Sequence, residues 1–194
     1  MSISAEGAGA ASRRLAGDLA MWFFILAELT VFGILICAFA VAQALQPALF
    51  QAGRAALDAS TGLALTLSLL TGGLFAAMGL ARVRQGKRGG ACLLAAALVS
   101  ACVYVGLKLA EYRHLAGLGL GLEHDTFFTL YWVLTGFHFL HVLLGMVILA
   151  WMALRCRARR YGPGQCAGLE SGVLYWHMVD LVWVLLFPVV YLLG

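Results

Sequence analysis

The fold of this chain is decided by its longest apolar stretch, FFTLYWVLTGFHFLHVLLGMVILAWMAL, which spans residues 127–154. The stretch contains no Lys, Arg, Asp or Glu. A helix needs roughly 20 apolar residues to cross the hydrocarbon core of a bilayer. The stretch therefore predicts a transmembrane helix that is long enough to tilt or to project from the membrane.

Four other stretches are also long and apolar, and each predicts a further transmembrane helix. They cover residues 19–42, 62–81, 91–107 and 172–193. The third span is short, so we expect it to continue past Lys108, whose long stem can reach the interface. We expect Pro188 to kink or loosen the end of the fifth span, since neighbouring helices tolerate this.

The composition agrees with a membrane protein. The chain is 63% hydrophobic and only 11% charged, whereas a soluble domain is about half apolar and about a quarter charged. The first apolar run is too long for a signal-peptide core. The predicted fold class is therefore all-α, an integral membrane bundle of five transmembrane helices. Residues 1–18 form a cytoplasmic N-terminal segment, and residues 19–194 form a single transmembrane domain.

The basic residues predict the orientation of this bundle. Ten of the 13 precede the first span or follow the second and fourth spans: Arg13, Arg14, Arg82, Arg84, Lys87, Arg88, Arg155, Arg157, Arg159 and Arg160. The positive-inside rule then places the N-terminus in the cytoplasm and the C-terminus in the periplasm of a bacterial inner membrane. These short loops favour attraction to anionic lipid over nucleic-acid binding, which needs a folded basic face.

Five ionisable residues interrupt the spans and are the candidate functional residues. They are Glu28, His138, His141, His177 and Asp180. A charge at the bilayer centre costs about 2.5–3.5 kcal/mol, so we expect these side chains to face the bundle and to be paired or neutral. At 1.5 Å per residue Glu28, His141 and Asp180 lie about 12–20 Å from the cytoplasmic helix ends, and His177 lies one turn nearer the cytoplasm than Asp180. The sequence therefore predicts one shared polar layer.

The spacing of these residues allows two interpretations. His138 and His141 share one helix face, as do His177 and Asp180, because each pair is three residues apart. A literal interpretation is a metal site of three histidines and one carboxylate. We favour hydrogen bonds between the fourth and fifth spans, with Asp180 fixing a histidine, because a metal site normally has further supporting ligands. Glu28 is a neutral hydrogen-bonding residue, a proton-handling group or a contact to another subunit, and spacing does not rank these roles.

Small and aromatic residues predict how the helices pack. Gly72 and Gly73 in the second span and Gly145 in the fourth are small enough to let helices approach closely. Tyr131 and Trp132, near the start of the fourth span, are typical of residues that anchor a helix at the membrane interface.

Four sequence motifs resemble subunit III of the haem–copper oxidases, also called cytochrome c oxidase subunit III. They are TGFHFLHVLLG at 135–145, YWHMVDLVW with FPVVY at 175–191, MWFFILAELTVFG around Glu28 and KLAEY around Glu111. The resemblance covers nearly the whole chain from Gly17 onward. Long members of the family have seven helices, but five-helix forms are known among quinol oxidases. The opening is most similar to the five-helix accessory E-type protein of nitric oxide reductase systems.

The resemblance implies a subunit with no catalytic residues, metal or redox cofactor of its own. Such a subunit docks beside a haem-containing catalytic subunit, stabilises it and supports proton uptake in aerobic electron transport or denitrification. The resemblance carries the family's intramembrane motif to Glu28, Glu111, His138, His141, His177 and Asp180. Long members bind phospholipid in a cleft between their first two helices and the rest. This sequence begins where their third helix begins, so the resemblance makes phospholipid an optional ligand here. Phe139 stands where the family usually has glycine.

Two other functions also fit an intramembrane polar layer. One is a small membrane transporter or proton-conducting protein, and the other is a membrane metalloenzyme that uses the histidines and Asp180. Copurification with a haem-containing subunit would separate the accessory role from the transporter. Elemental analysis of the purified chain would test the metalloenzyme.

Overall fold

The computed structural model describes residues 19–193 and is all-helical in its regular elements. The helices are α1 (Leu19–Leu45), α2 (Pro47–Ala55), α3 (Ala59–Arg84), α4 (Gly90–Gly117), α5 (Thr126–Arg157) and α6 (Ala167–Phe187), followed by a π-helical segment (Pro188–Leu192). The predicted N-terminal segment, with Arg13 and Arg14, lies outside the described residues.

Within the described residues, five helices are long and apolar enough to cross a membrane, so the predicted fold class is confirmed. They are α1, α3, α4, α5, and α6 together with the π-helical segment. Each is longer than the apolar run that predicted it, and α4 continues past Lys108 as expected. The short helix α2 was not predicted. It begins at Pro47, whose missing N–H is not needed at the first position of a helix.

Helix α6 lies at the centre of the bundle. It packs against α3, α5 and α1, while α4 closes the opposite side by packing against α3 and α5. Helix α1 is attached at the edge and buries only Ile25, Phe32 and Phe39 completely or nearly so. The core is therefore built by α3–α6, with α1 added against α5 and α6.

Two of the predicted small residues let helices approach one tryptophan closely. A Cβ built on Gly72 of α3 would lie 3.3 Å from the Trp176 ring, and one on Gly145 of α5 would lie 2.9 Å from it. Trp176 is completely buried between the two helices. The glycines thus provide the space in which the indole of α6 packs, as the small-residue pattern predicts.

Pro188 loosens the end of α6 as expected. The chain passes from α-helix to a π-helical segment at this residue, and the Leu193 amide donates to the Pro188 carbonyl at 2.8 Å. Proline lacks the amide hydrogen that a regular turn would use. The wider turn carries Tyr191 into the bundle, where it is almost completely buried.

Side-chain caps hold the first turns of α3 and α5. Asp58 precedes α3 and accepts hydrogen bonds from the amides of Ser60 and Thr61 at 3.1 and 3.2 Å. Hydrogen bonds from the side chains of Thr61 and Ser60 lower the pKa of this exposed carboxyl to about 2. Asp125 caps α5 in the same way, through the Phe128 amide.

Candidate functional site

The first group of intramembrane polar side chains joins α4, α5 and the π-helical segment. We call Lys108, Glu111, Tyr131 and Tyr191 the closed centre. The Lys108 ammonium donates to Glu111 Oε2 at 3.3 Å and to the hydroxyls of Tyr131 and Tyr191 at 3.1 and 3.0 Å. Both tyrosine hydroxyls donate in turn to Glu111 Oε1, at 2.6 and 2.7 Å. Every ammonium hydrogen and both carboxylate oxygens therefore have a partner.

Aromatic rings surround the ammonium of the closed centre. Lys108 is completely buried, and its Nζ lies 4.9 Å from the ring centres of Tyr112 and Tyr131 and 5.2 Å from that of Trp183. Such rings attract a cation through their faces. Lys108 was predicted to reach the membrane interface, and Tyr131 to anchor the fourth span there. Both predictions were wrong, because both side chains are completely buried in the bundle. The carboxylate of Glu111, one helical turn away, neutralises the ammonium inside the bundle.

The second group is a pair between α1 and α5. Glu28 Oε2 lies 3.0 Å from His141 Nε2, while His141 Nδ1 lies 2.8 Å from the Phe137 carbonyl oxygen. A carbonyl oxygen only accepts, so Nδ1 must carry a hydrogen. The hydrogen bond at Nε2 then contains one proton, either on a protonated histidine facing a carboxylate or on a neutral carboxyl facing a neutral histidine. In both arrangements the pair has no net charge.

The third group is the pair of His177 and Asp180, both on α6. His177 Nδ1 lies 3.2 Å from Asp180 Oδ2, and the carboxyl side chain is only 9% exposed. It packs directly on Gly73 of α3, where an added Cβ would overlap Oδ2. The His177 side chain, by contrast, is 43% exposed. It borders a cleft of about 290 Å³ between α3 and α6, which ends at the ion pair of Arg84 and Glu170.

Pairing fixes the role of the exposed His177 nitrogen. An ion with no counter-charge is expensive within the membrane, so the pair is stable when its net charge is zero. That condition places one proton between Nδ1 and Asp180, and it leaves a hydrogen on Nε2 whichever partner holds the shared proton. His177 therefore presents an N–H donor to whatever covers the α3–α6 cleft. We call Glu28–His141 and His177–Asp180 the open pairs, because each has a side chain that is partly exposed.

His138 does not join either open pair. It is completely buried and surrounded by the rings of Phe32, Tyr104 and Trp183. Within residues 19–193, neither ring nitrogen of His138 has a hydrogen-bond partner, and the same is true of the Tyr104 hydroxyl. Its position is that of a core residue on α5, one turn from Thr135.

The structure separates the residues that the sequence placed in one layer. Among residues 19–193, no three His, Cys, Asp or Glu side chains come together in a group that could hold a metal ion. Of the hydrogen bonds expected between the fourth and fifth spans, none within that range joins a histidine side chain of α5 to α6, whereas Asp180 holds a histidine as expected, on its own helix. The pair of Glu28 and His141 links α1 to α5, whereas the pair of His177 and Asp180 lies within α6. Helices α5 and α6 are joined by the Tyr175 hydroxyl, which donates to the His141 carbonyl at 3.2 Å.

Sequence reasoning missed most of the closed centre. It named Glu111 from its motif, but it placed Lys108 and Tyr131 at the interface and did not single out Tyr191. The signal that could have found the centre is the spacing of Lys108 and Glu111, which are three residues apart on one helix face.

Comparison with known proteins agrees with the motifs that these groups occupy. A family model described as "Cytochrome c oxidase subunit III" matches residues 5–194. The chain belongs to the cytochrome c oxidase subunit III family. It is 31% identical over 183 residues to cytochrome c oxidase subunit 3 of Synechocystis sp., a match that covers 91% of this chain and 76% of that one.

Two further relatives show how widely the family is represented. The cytochrome bo(3) ubiquinol oxidase subunit 3 of Pseudomonas putida is 27% identical over 183 residues, covering 91% of this chain and 85% of that one. Cytochrome c oxidase subunit 3 of Schizophyllum commune is 35% identical over 130 residues, covering 66% of this chain and about half of that one, 47%. The relatives thus include proteins named as subunits of cytochrome c oxidase and of ubiquinol oxidase.

Proposed function

We propose that this chain is a non-catalytic accessory subunit of a haem–copper respiratory complex in a bacterial inner membrane. Its family and the names of its relatives support this role. The proposed partner is the haem-containing catalytic subunit, which the chain stabilises and for which it supports proton uptake. The basic loops after α3 and α5 favour an orientation with the N-terminus in the cytoplasm.

The observation that carries this proposal is the exposed donor of His177. Ten residues separate it from the start of α6 at Ala167, which is about 15 Å along a helix. Where lipid tails cover the helix they offer no hydrogen-bond acceptor, and an unpaired polar group in hydrocarbon is costly. A transmembrane segment of another subunit that presents a carbonyl, hydroxyl or carboxylate to the α3–α6 cleft satisfies Nε2.

The open pair of Glu28 and His141 supports the further proposal of a role in proton uptake. The hydrogen bond between these two side chains contains one proton, and no backbone hydrogen bond of a helix depends on it. Its Glu28 side chain is 20% exposed. The names of the relatives favour an oxidase as the parent complex, and a nitric oxide reductase is the alternative that the motifs around Glu28 and His177 suggest.

The direct test is copurification of the tagged chain from its native membrane in mild detergent. We expect a haem-containing subunit to elute with it in a fixed ratio, with haem absorbance in the purified complex. Elemental analysis of the same sample should assign iron and copper to the partner after the subunits are separated. Recovery of the chain alone under conditions that preserve other respiratory complexes would contradict the proposal.

The second candidate function is a proton-conducting protein, which the shared proton of Glu28 and His141 favours. Reconstitution of the purified chain in liposomes with a pH-sensitive dye distinguishes the two. The accessory role predicts no proton flux above that of empty liposomes. A flux that Glu28→Gln abolishes would favour the conducting protein.

A further inference from the structure

A second concave site lies away from the transmembrane polar groups, between the α3–α4 and α5–α6 loops. The cavity has a volume of about 410 Å³. Four cationic side chains line it: Lys87 and Arg88 in the α3–α4 loop, Arg157 at the end of α5 and Arg159 in the α5–α6 loop. The two loops are more than 60 residues apart in sequence, so only the folded bundle brings these charges to one place.

These four cations are not neutralised by the protein. Among the residues that the structure describes, none of the four forms an ion pair or a side-chain hydrogen bond, whereas Arg84 on the same end of the bundle is paired with Glu170 at 2.9 Å. No Asp or Glu lines the cavity. The site therefore concentrates positive charge in a concave surface, which focuses the electrostatic field on an anion.

The floor of the cavity differs from its rim. The buried side chain of Val83 and the partly buried Cys156 lie at the floor, where α3 and α5 end. The first residues of α4, Gly90 and Ala91, complete the wall with the amide end of that helix. An apolar floor beside cations, at the level where three transmembrane helices end, suits a group that is anionic on one side and apolar on the other.

We propose that this cavity is a binding site for a phosphate-containing anion, with the phosphate held by Lys87, Arg88, Arg157 and Arg159. The site goes beyond the proposed accessory role and does not depend on it. The phosphate belongs either to the headgroup of an acidic phospholipid or to a free ion. A planar guanidinium group can bind two phosphate oxygens through paired hydrogen bonds. Three of the four cations are arginines, so the site can bind phosphate by geometry as well as by charge.

The chain offers a matched pair of variants to test the site. Arg159 and Arg160 are neighbours in the same loop and carry the same charge, but only Arg159 lines the cavity. Arg88 and Arg82 form a second pair, since Arg82 lies in the last turn of α3 and does not line the cavity. Arg159→Gln and Arg88→Gln each remove one ligand, whereas Arg160→Gln and Arg82→Gln remove the same charge outside the site.

The measurement is binding of phosphatidylglycerol to the full chain, either by native mass spectrometry in detergent or in nanodiscs of phosphatidylcholine with increasing phosphatidylglycerol. We expect Arg159→Gln and Arg88→Gln each to weaken binding about fivefold, and their controls to weaken it less than twofold. Equal losses in the cavity and control variants would show charge attraction without a site and would overturn the proposal. Thermal unfolding of each variant checks that the bundle is intact.

A competition arm identifies the source of the phosphate. Inorganic phosphate is titrated against bound phosphatidylglycerol in the wild type and in Arg159→Gln. Displacement that depends on Arg159 supports the site with a free ion as its ligand, and retention of the lipid supports the site with a headgroup as its ligand. If neither probe binds in a manner that depends on Arg159 or Arg88, the proposal is wrong.

Discussion

The closed centre and the open pairs solve the same problem in opposite ways. Both place ionisable side chains within membrane-spanning helices, where a lone charge is costly. Lys108 and Glu111 bond to each other and to two tyrosine hydroxyls within the chain, and aromatic rings surround the completely buried ammonium. His177 and Glu28 each have one partner and remain partly exposed. The difference assigns the closed centre to stability of the subunit and the open pairs to what lies outside it.

The largest effect should come from breaking the closed centre on one side. Glu111→Leu leaves the completely buried Lys108 ammonium without its counter-charge, and loss of one partner of a buried pair costs about 3–5 kcal/mol. We expect a marked fall in the thermal unfolding temperature of the purified chain. The double variant Lys108→Met with Glu111→Leu should lose less, because it removes both charges. A single variant as stable as Glu123→Gln, in an exposed loop, would contradict the assignment.

A smaller loss of stability is expected at the contact between Gly73 of α3 and Asp180 of an open pair. Gly73→Ala places a methyl group against the Asp180 carboxyl, and overpacking of this kind costs about 1–3 kcal/mol. We expect lower stability together with weaker assembly, because Asp180 can no longer hold His177. Asp180→Ala should weaken assembly without the steric cost. Gly33→Ala is the control, since a Cβ there has open space, and equal losses at both glycines would contradict the prediction.

The pair of Glu28 and His141 should tolerate the loss of its proton but not of its hydrogen bond. Glu28→Gln keeps an N–H donor facing Nε2, so we expect a stability change below about 1 kcal/mol. Glu28→Leu leaves Nε2 unpaired and should cost about 1–3 kcal/mol. Thermal unfolding of the two variants measures the difference. Proton uptake by the complex should fall in both variants, and normal uptake in Glu28→Gln would show that the proton is not used.

The smallest effect should come from an acidic residue outside the membrane. Hydrogen bonds from Thr61 and Ser60 lower the pKa of Asp58 to about 2. A carboxyl whose pKa is lower in the folded state stabilises that state above its unfolded pKa and loses the contribution as the pH falls through the folded value. Asp58→Asn should therefore remove a small acid dependence below about pH 4, measured by unfolding at pH 7 and at low pH. An unchanged pH profile would show that the cap does not titrate.

Sequence alone predicted the number and type of the helices well, because apolar length is sufficient to identify a span. It placed the ends of the spans only approximately. The third span was expected to continue past Lys108, and α4 extends to Gly117, because the folded chain pairs Lys108 with Glu111, which a hydropathy window counts as two charges. The fifth span was predicted from residue 172, whereas α6 begins five residues earlier, at Ala167.

The candidate site could be predicted only where its pairs lie on one helix. The spacing of His177 and Asp180 is visible in the sequence, and the structure pairs them. The contact between Glu28 and His141 depends on how α1 packs against α5, which no local pattern encodes. The isolation of His138 has the same origin, since its neighbours Tyr104 and Trp183 come from two other helices.

The central claim is that an accessory subunit docks through the exposed donor of His177. It is tested most directly by copurifying His177→Leu and wild type with the haem-containing partner. His114→Leu, an exposed histidine near the end of α4, is the matched control. A hydrogen bond between membrane helices contributes roughly 0.6–1.7 kcal/mol, so we expect about three- to eighteen-fold weaker association for His177→Leu. Thermal unfolding of the variant is measured in parallel, because His177→Leu also leaves the Asp180 carboxyl without its partner. Equal recovery of haem with both variants would contradict the account.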